Sequence, residues 1–298
     1  MTPSLYKIFC IGLIWFIYTL ITFFRFLNYK FKQFIHFIRL LIIIFSYKSE
    51  KEYFRNINKS KSIKYPKNFA IVINKFLITE QKLILSLCQY IRWIILINEI
   101  KYFTIYDAFN LINIPKFLTE LNENISNNEE IYGNIKIHIC YKDKKNNKIK
   151  EINLVSGDKN KSTSDFYICI IGFEDANIDL IHKIIKEKET KIYNNYPEVY
   201  KWFNNQNKTG KDNQTKNMKK FQQFLTRKNE ESLPELVAIF GKNKYLFYED
   251  ICLYGFPFTL LENSEIININ HKQFDQLDIL DFVDIFTINS KIVKRFGA

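Results

Sequence analysis

The sequence has no closely spaced pair of cysteines and no cluster of histidines. Its five cysteines lie far apart along the chain without a Cys-x-x-Cys motif, and its four histidines do not recur at the spacing of metal ligands. These absences argue against a disulfide framework and against a zinc site, and they fit a reducing compartment. We therefore expect no zinc site in this chain.

A basic stripe interleaved with aromatic residues is also missing. The net charge is +12, but the lysines are scattered through a chain in which Lys, Asn and Ile are common throughout. A basic balance of this kind suits an anionic membrane or an anionic substrate as well as a nucleic acid. Because no recognised nucleic-acid motif accompanies it, we expect no nucleic-acid partner.

A membrane anchor is predicted near the start of the chain. Ile8 to Phe24 contains no charged residue, and about 17 residues is the short end of the range for a membrane helix. A basic leader region and a small-residue cleavage site are both absent, which argues against a cleaved signal peptide. Cations are more numerous after this run, at Arg25, Lys30, Lys32 and Arg39, than before it, where only Lys7 and the amino terminus occur. By the positive-inside rule the bulk of the chain is cytosolic.

A second apolar run, Phe34 to Phe45, holds His36 and Arg39. It is short and charged for a span, and we interpret it as an interfacial helix or as a helix packed on the first. The predicted organisation is a membrane anchor at residues 1–47, with its span at about 8–24, a charged connector at 48–64, and a soluble domain at 65–298. The length and the 47% hydrophobic content allow one sizeable core beside the anchor.

The soluble domain alternates strand and helix patterns, which is typical of an α/β layer fold with a mostly parallel sheet. Residues 194–217 are polar and rich in Asn and Lys, as expected of an insertion. The predicted strands are 69–73, 102–106, 135–141, 151–155, 166–172, 236–240, part of 245–256, and 266–267. The predicted helices run from the cap Thr79 to about 99, and over 114–124, 179–189, 217–227 and 272–294.

The first strand motif runs from Pro66 to Lys75 and reads PKNFAIVINK. It resembles the opening motif of cis-prenyltransferases, in which the strand ends in Asp-Gly-Asn. Asn74 stands at the position of the Asp that binds magnesium and diphosphate in that family, and Lys75 stands at the position of the Gly. A neutral amide does not replace a carboxylate at a Mg²⁺ site. The motif therefore resembles the family with its catalytic chemistry removed.

Two later segments extend the resemblance. Catalytic members carry a substrate-binding Arg in the motif similar to Pro234–Gly241, and Ile239 stands at that position here. The segment Gly255–Ile267 is similar to one found in noncatalytic relatives, and Tyr106-Asp107 also fits that group. The chain then closes with Arg295-Phe296-Gly297, which is similar to the Arg-x-Gly motif at the end of those relatives.

The chain thus resembles the noncatalytic, Nogo-B receptor type subunit of the dehydrodolichyl diphosphate synthase complex, within the cis-prenyltransferase family. The resemblance covers residues 66 to 298, with a weakly matched middle at 122–232. It implies a cis-prenyltransferase-like fold, a heteromer with a catalytic subunit at the endoplasmic reticulum membrane, and synthesis of long polyprenyl diphosphate for dolichol and protein glycosylation. The substrates implied are farnesyl diphosphate and isopentenyl diphosphate.

The resemblance also implies specific roles. Arg295 and the backbone at Gly297 would bind the diphosphate of isopentenyl diphosphate in trans, in the active site of the partner, and the partner would hold the Mg²⁺ ion. An arginine offers a planar fork of donors to a phosphate, and a glycine lets backbone N–H groups approach it. We expect these residues to form a tail that follows the last helix. This chain would have no catalytic residue of its own, since Asn74 and Ile239 replace the Asp and the Arg of the family.

Two other functions stay open from the sequence. One is an active homodimeric cis-prenyltransferase with a variant site, against which Asn74 and Ile239 argue. The other is a membrane-anchored scaffold or receptor without an enzymatic partner.

Three further polar residues are assigned structural roles. Asp107 follows an apolar strand, and we expect it to orient the next loop. His138 alternates with apolar neighbours on a strand, which predicts a surface or interface position. Glu265 stands where catalytic relatives keep a metal-binding Glu, and without an Asp partner we interpret it as structural.

Overall fold

The computed structural model describes residues 3–60, 63–73, 79–143, 148–157, 164–172, 234–240, 256, 261, 264–269 and 274–296, with side chains from residue 11 to residue 291. The predicted helices at 179–189 and 217–227, the insertion at 194–217 and nearly all of the 245–256 segment lie outside the described residues. The chain divides into two compact units, Met1–Asn56 and Ile57–Ala298.

The first unit is dominated by one helix, α1 (Pro3–Ser46), and α2 (Glu50–Ser60) follows it. Ile11–Ser46 is long and apolar enough to cross a membrane, by its length and composition, and none of its most apolar window is buried. Two hydroxyls within the helix donate to backbone carbonyls one turn earlier, Thr19 to Trp15 and Thr22 to Tyr18, each at 2.8 Å. Such back-bonding satisfies hydroxyl groups where no water is present.

The second apolar run is not a separate helix, contrary to the sequence-based interpretation. Residues 34–45 continue α1 without a break. Residues 25–33, which join the two apolar runs, contain neither proline nor glycine, so nothing interrupts the helical hydrogen bonding between them. At 1.5 Å per residue, α1 is about 66 Å long, roughly twice the thickness of a bilayer core.

The second unit is an α/β domain built on a seven-stranded sheet in the order β4-β3-β5-β2-β1-β6-β7. All neighbouring strands are parallel except β3 and β4, which form an antiparallel ribbon. The predicted mostly parallel sheet is confirmed. The strands are β1 (Asn68–Ile73), β2 (Tyr102–Asp107), β3 (Ile135–Asp143), β4 (Lys148–Ser156), β5 (Ser164–Gly172), β6 (Leu236–Phe240) and β7 (Glu265–Ile269).

After α2, which contains the boundary between the two units, four α-helices are described in the second unit. They are α3 (Glu80–Ile97), α4 (Ile114–Asn127), the single turn α5 (Glu129–Tyr132) and α6 (Ile279–Phe296), which a 3₁₀ turn at Phe274–Gln276 precedes. Thr79 caps α3 as predicted, since its side chain accepts a hydrogen bond from the Lys82 N–H group. Asn113 caps α4 in the same way.

The last helix begins at a reciprocal cap. The Asp278 carboxylate accepts from the N–H groups of Leu280 and Asp281, both at 3.0 Å, and the Asp281 carboxylate accepts from the Asp278 N–H group at 3.1 Å. This arrangement is a capping box. It explains why α6 starts later than the apolar pattern from residue 272 predicts.

One face of the sheet packs against α3 and α6 through aromatic rings. Phe69 of β1 meets Phe286 of α6 edge-on, with 5.2 Å between ring centroids, and Trp93 of α3 lies 5.2 Å from Phe282 of α6. All four side chains are almost completely buried. Burial of such large rings dominates the stability of a core.

A serine in α6 binds the backbone just before β1. The Ser290 hydroxyl accepts a hydrogen bond from the Lys64 N–H group at 2.8 Å and lies 2.9 Å from the Phe286 carbonyl oxygen, to which it donates. Tyr65 packs edge-on against Phe286 at 5.3 Å. The entrance to the central strand is thereby held by the last helix.

Candidate functional site

The direction of the sheet connections changes between β1 and β6. From β1 the chain passes to β2 on one side, whereas from β6 it passes to β7 on the other side. In parallel α/β sheets, ligands bind beside the carboxyl ends of strands at such a switch point. Ile73 and Phe240 are the last residues of these two strands. The candidate site of this chain therefore lies just beyond them.

Ile239 lies beside this switch point and belongs to the core. It is in register with Val72 of β1 and with Asn268 of β7, and its side chain is 2% exposed. It joins a cluster of buried residues with Val72, Val237 and Phe256. An uncharged, enclosed side chain here cannot bind a phosphate, and a charge at this place would be strongly disfavoured.

The strand ends themselves are apolar as well. Ile73 is 1% exposed and Phe240 is 3% exposed, and the ring of Phe240 meets Phe274 edge-on at 5.2 Å. The described ends of β1 and β6 thus offer neither a cation for diphosphate nor a carboxylate for Mg²⁺. Asn74 and Gly297 lie outside the described residues.

Arg295 stands on the last helix instead of on a tail. The sequence pattern places the helix end at residue 294, whereas the backbone of α6 remains helical through Phe296. Residues 291–296 contain no proline or glycine, so the first residue that favours a helix end is the glycine at 297. The side chain of Arg295 lies outside the described residues, and its role in diphosphate binding stays a prediction.

Asp107 organises the loop after β2, as the sequence predicts. Its carboxylate accepts hydrogen bonds from the N–H groups of Leu111 at 2.9 Å and Ile112 at 2.8 Å. The side chain is buried, and the loop turns at Asn110, whose φ is 53°. Charge-assisted hydrogen bonds from two backbone groups are strong, so this carboxylate holds the loop in place.

A cleft of about 530 Å³ opens beside that loop. Lys150 and Asp143 pair across its rim at 2.6 Å, and the hydrogen bond to Asp143 raises the pKa of Lys150 above its usual value. Because Glu80 and Asp143 offset the rim lysines Lys142 and Lys150, the lining has no strong preference for one sign of charge. Sequence reasoning missed this cleft because its described walls come from Glu80 and from residues 110–115, 141–143 and 150, which no motif connects.

His138 is partly covered by its neighbours in the sheet, whereas the sequence predicts a surface or interface position. Its ring stacks on Tyr167 of β5 at 4.7 Å, and Tyr167 in turn stacks on Tyr102 of β2 at 5.1 Å. The His138 Nε2 atom lies 3.3 Å from the Asp165 Oδ1 atom, and the His138 side chain is only 15% exposed. The alternation along β3 gave the correct face of the strand, but it could not show that neighbouring rings cover that face.

Glu265 stands far from the carboxyl edge of the sheet. It is the first residue of β7, where its N–H group donates to the Glu235 carbonyl oxygen at 2.9 Å. Four strand residues, about 13 Å, separate it from the other end of the strand. This position supports the structural interpretation of Glu265.

No family model matches the chain, and no curated protein matches it.

Proposed function

We propose that this chain is a noncatalytic, membrane-anchored subunit of a heteromeric cis-prenyltransferase. In this proposal a separate catalytic subunit builds a long polyprenyl diphosphate from farnesyl diphosphate and isopentenyl diphosphate at the endoplasmic reticulum membrane. This chain stabilises that subunit and places Arg295 and Gly297 at the diphosphate of isopentenyl diphosphate. The ordered set of motifs from Pro66 to Gly297 motivates the choice of family.

The observation that carries the proposal is the burial of Ile239. A catalytic member of the family would use an arginine at this position, whereas Ile239 is 2% exposed and packs in the core. The neighbouring strand ends are apolar too. A domain whose described strand ends at the switch point are apolar and buried is suited to a supporting role, and these strand ends themselves offer no group that binds a diphosphate.

Magnesium does not fit the described residues at that edge of the sheet. Among the described strand ends there, β2 and β3 carry a carboxylate each, Asp107 and Asp143. Two backbone N–H groups already occupy Asp107, and Lys150 pairs with Asp143 at 2.6 Å. Hard cations need several oxygen ligands. We therefore assign the Mg²⁺ ion to the catalytic partner, and we assign to this chain only the donors of its last helical turn and the glycine after it.

The fold class is compatible with the proposal. The sheet has six parallel strands and helices packed on it, which agrees with the coarse architecture that the resemblance implies. A fold of this class hosts many functions. The assignment to a prenyltransferase complex therefore depends on the motifs and on an experiment.

The test is co-expression of the full chain with a catalytic cis-prenyltransferase subunit from the same source. We expect the two chains to copurify, and we expect labelled isopentenyl diphosphate to enter long polyprenyl products faster with both chains than with the catalytic subunit alone. Failure to copurify together with unchanged synthesis would contradict the proposal and would favour a scaffold or receptor. Synthesis by the purified chain alone would instead favour an active homodimer.

A further inference from the structure

The helix α1 carries a basic cluster, Arg25, Lys30 and Lys32, within about two turns directly after its charge-free stretch. Ile8–Phe24 contains no charged residue, and about 17 residues of helix span about 26 Å, close to the thickness of a bilayer core. Arg25 is the next residue, and the helix continues without a break. Lys30 and Lys32 therefore lie about 8 and 11 Å further along the helix axis.

These three cations would stand at the level of lipid headgroups. Headgroup layers add about 5 to 8 Å on each side of the hydrocarbon core, and charges act over a Debye length of about 8 Å at physiological salt. The side chains of Arg25, Lys30 and Lys32 are all exposed. The cluster thus extends from the edge of the hydrocarbon core through the headgroup layer, where its cations attract anionic headgroups.

Aromatic side chains around the cluster suit the same environment. The Lys30 ammonium lies over the ring of Phe26, 5.7 Å from its centroid. Phe26 is 54% exposed and Phe31 is 62% exposed. Aromatic rings and long cationic side chains are enriched at the boundary between lipid and water, where the rings contact acyl chains while the charges reach the headgroups.

Acidic residues do not neutralise the cluster along the sequence. The first Asp or Glu of the chain is Glu50, whereas Lys7, Arg25, Lys30, Lys32, Arg39 and Lys48 all precede it. The net charge of this stretch is therefore positive. A segment with a net positive charge beside a span is complementary to the anionic lipids of a membrane leaflet.

From these observations we propose that Arg25, Lys30 and Lys32 bind the headgroups of anionic phospholipids around the helix. The inference rests on the membrane anchorage included in the proposed function, and it adds the class of lipid that the anchor selects. The lipid phosphate and carboxylate groups accept hydrogen bonds from the guanidinium and ammonium groups, while the acyl chains lie along the apolar part of α1.

The test measures which lipids lie around the helix in vesicles that contain the full chain. Spin-labelled phosphatidylserine or phosphatidylcholine, labelled near the end of an acyl chain, is added to the vesicles, and the immobilised fraction of each is measured by electron spin resonance. We expect phosphatidylserine to associate about fivefold more strongly than phosphatidylcholine, since each cation near a membrane surface favours anionic lipid by about that factor. Molar salt should abolish the difference.

Two variants with matched substitutions decide the role of the cluster. The triple change Arg25→Gln, Lys30→Gln and Lys32→Gln should lower the preference to nearly one. The charge-preserving change Arg25→Lys, Lys30→Arg and Lys32→Arg should retain it. Equal association of both lipids with the parent chain, or an unchanged preference in the glutamine variant, would overturn the inference. If neither the parent chain nor the two variants immobilise either lipid, the proposal that α1 anchors the chain in a membrane is wrong.

Discussion

The ring of Tyr90 on α3 lies parallel to the ring of Phe282 on α6, with 5.7 Å between their centroids. The Tyr90 hydroxyl donates a hydrogen bond to the carbonyl oxygen of Phe274, and the Phe274 ring meets Tyr90 edge-on at 4.5 Å. One side chain thus joins α3 to α6 and to the turn that precedes it. The hydrogen bond that this hydroxyl donates is therefore buried in the core.

This relationship predicts a loss of stability at alkaline pH. Burial, reinforced by the carboxylates of Asp281, Asp275 and Asp278, raises the pKa of Tyr90 well above its usual range. Burial likewise raises the pKa of the Cys88 thiol to about 12.

The unfolded chain releases these protons near pH values of about 8.5 and 10, while the folded chain retains them. The contribution of these two protonated groups to the free energy of unfolding should therefore be fully present below about pH 8.5. Above that pH the free energy of unfolding should fall by up to about 1.4 kcal/mol per pH unit for each group. Urea unfolding of the chain in detergent at pH 8, 9, 10 and 11 measures the effect. Tyr90→Phe should unfold more easily at pH 8 and lose less stability above pH 10. A urea midpoint that does not change with pH would contradict this account.

The second prediction concerns Ile239. Ile239→Arg should lower the free energy of unfolding by more than about 3 kcal/mol, because the guanidinium would be buried among hydrocarbon without a partner. Ile239→Val is the matched control and should cost about 1 kcal/mol. Denaturant unfolding followed by tryptophan fluorescence gives both values. An arginine variant as stable as the valine variant would show that this position is open to solvent.

The third prediction concerns the loop after β2. Asp107→Asn replaces one of the two acceptor oxygens with an amide that faces a backbone N–H group, and it removes the charge from the remaining hydrogen bond. A loss of about 2 kcal/mol is expected. Glu123→Gln on the exposed side of α4 is the control and should change stability by less than about 0.5 kcal/mol. Equal unfolding midpoints for the two variants would mean that Asp107 does not hold the loop.

The fourth prediction concerns Arg295. Arg295→Ala should leave the heteromer assembled, lower the turnover number about 100-fold and raise the KM for isopentenyl diphosphate, since a donor to a reacting phosphate is lost. Arg295→Lys keeps the charge without the planar fork and should retain part of the activity. Because α6 runs through Phe296 and alanine favours helices, circular dichroism should be unchanged. If the alanine variant has the same turnover number and KM as the parent chain, Arg295 is not part of the site.

The fifth prediction concerns the anchor. Removing residues 1–47, just past the end of α1 at Ser46, should release the protein from membranes to the soluble fraction after cell lysis. Full-length protein should stay in the membrane pellet after an alkaline carbonate wash, which removes peripheral proteins and leaves spanning ones. A truncated chain that still pellets would indicate that the second unit binds lipid by itself.

The central sheet could be predicted because its strands are marked locally. The apolar run at Phe69–Ile73 begins after a proline, and it is a fully buried parallel strand. Thr79 lies where a helix cap is expected, and it does cap α3. These features depend on a few neighbouring residues, so the sequence alone shows them.

Features that depend on packing were harder to predict. The partial burial of His138 comes from Tyr167 and Asp165 on the next strand, and no local pattern along β3 contains that information. The cleft beside Asn110 arises in the same way, from loops far apart in sequence. At the candidate site, Ile239 packs in the core, whereas Asn74 and Gly297 lie outside the described residues.

The contact between Lys64 and Ser290 has a consequence for biosynthesis. These residues are 226 positions apart, yet their hydrogen bond secures the entrance to the central strand. A strand whose neighbours come from distant parts of the chain completes its pairing late. During translation the domain therefore cannot close until α6 has left the ribosome. Until then its apolar strands remain exposed to chaperones, and a premature stop before Ser290 should send the chain to degradation.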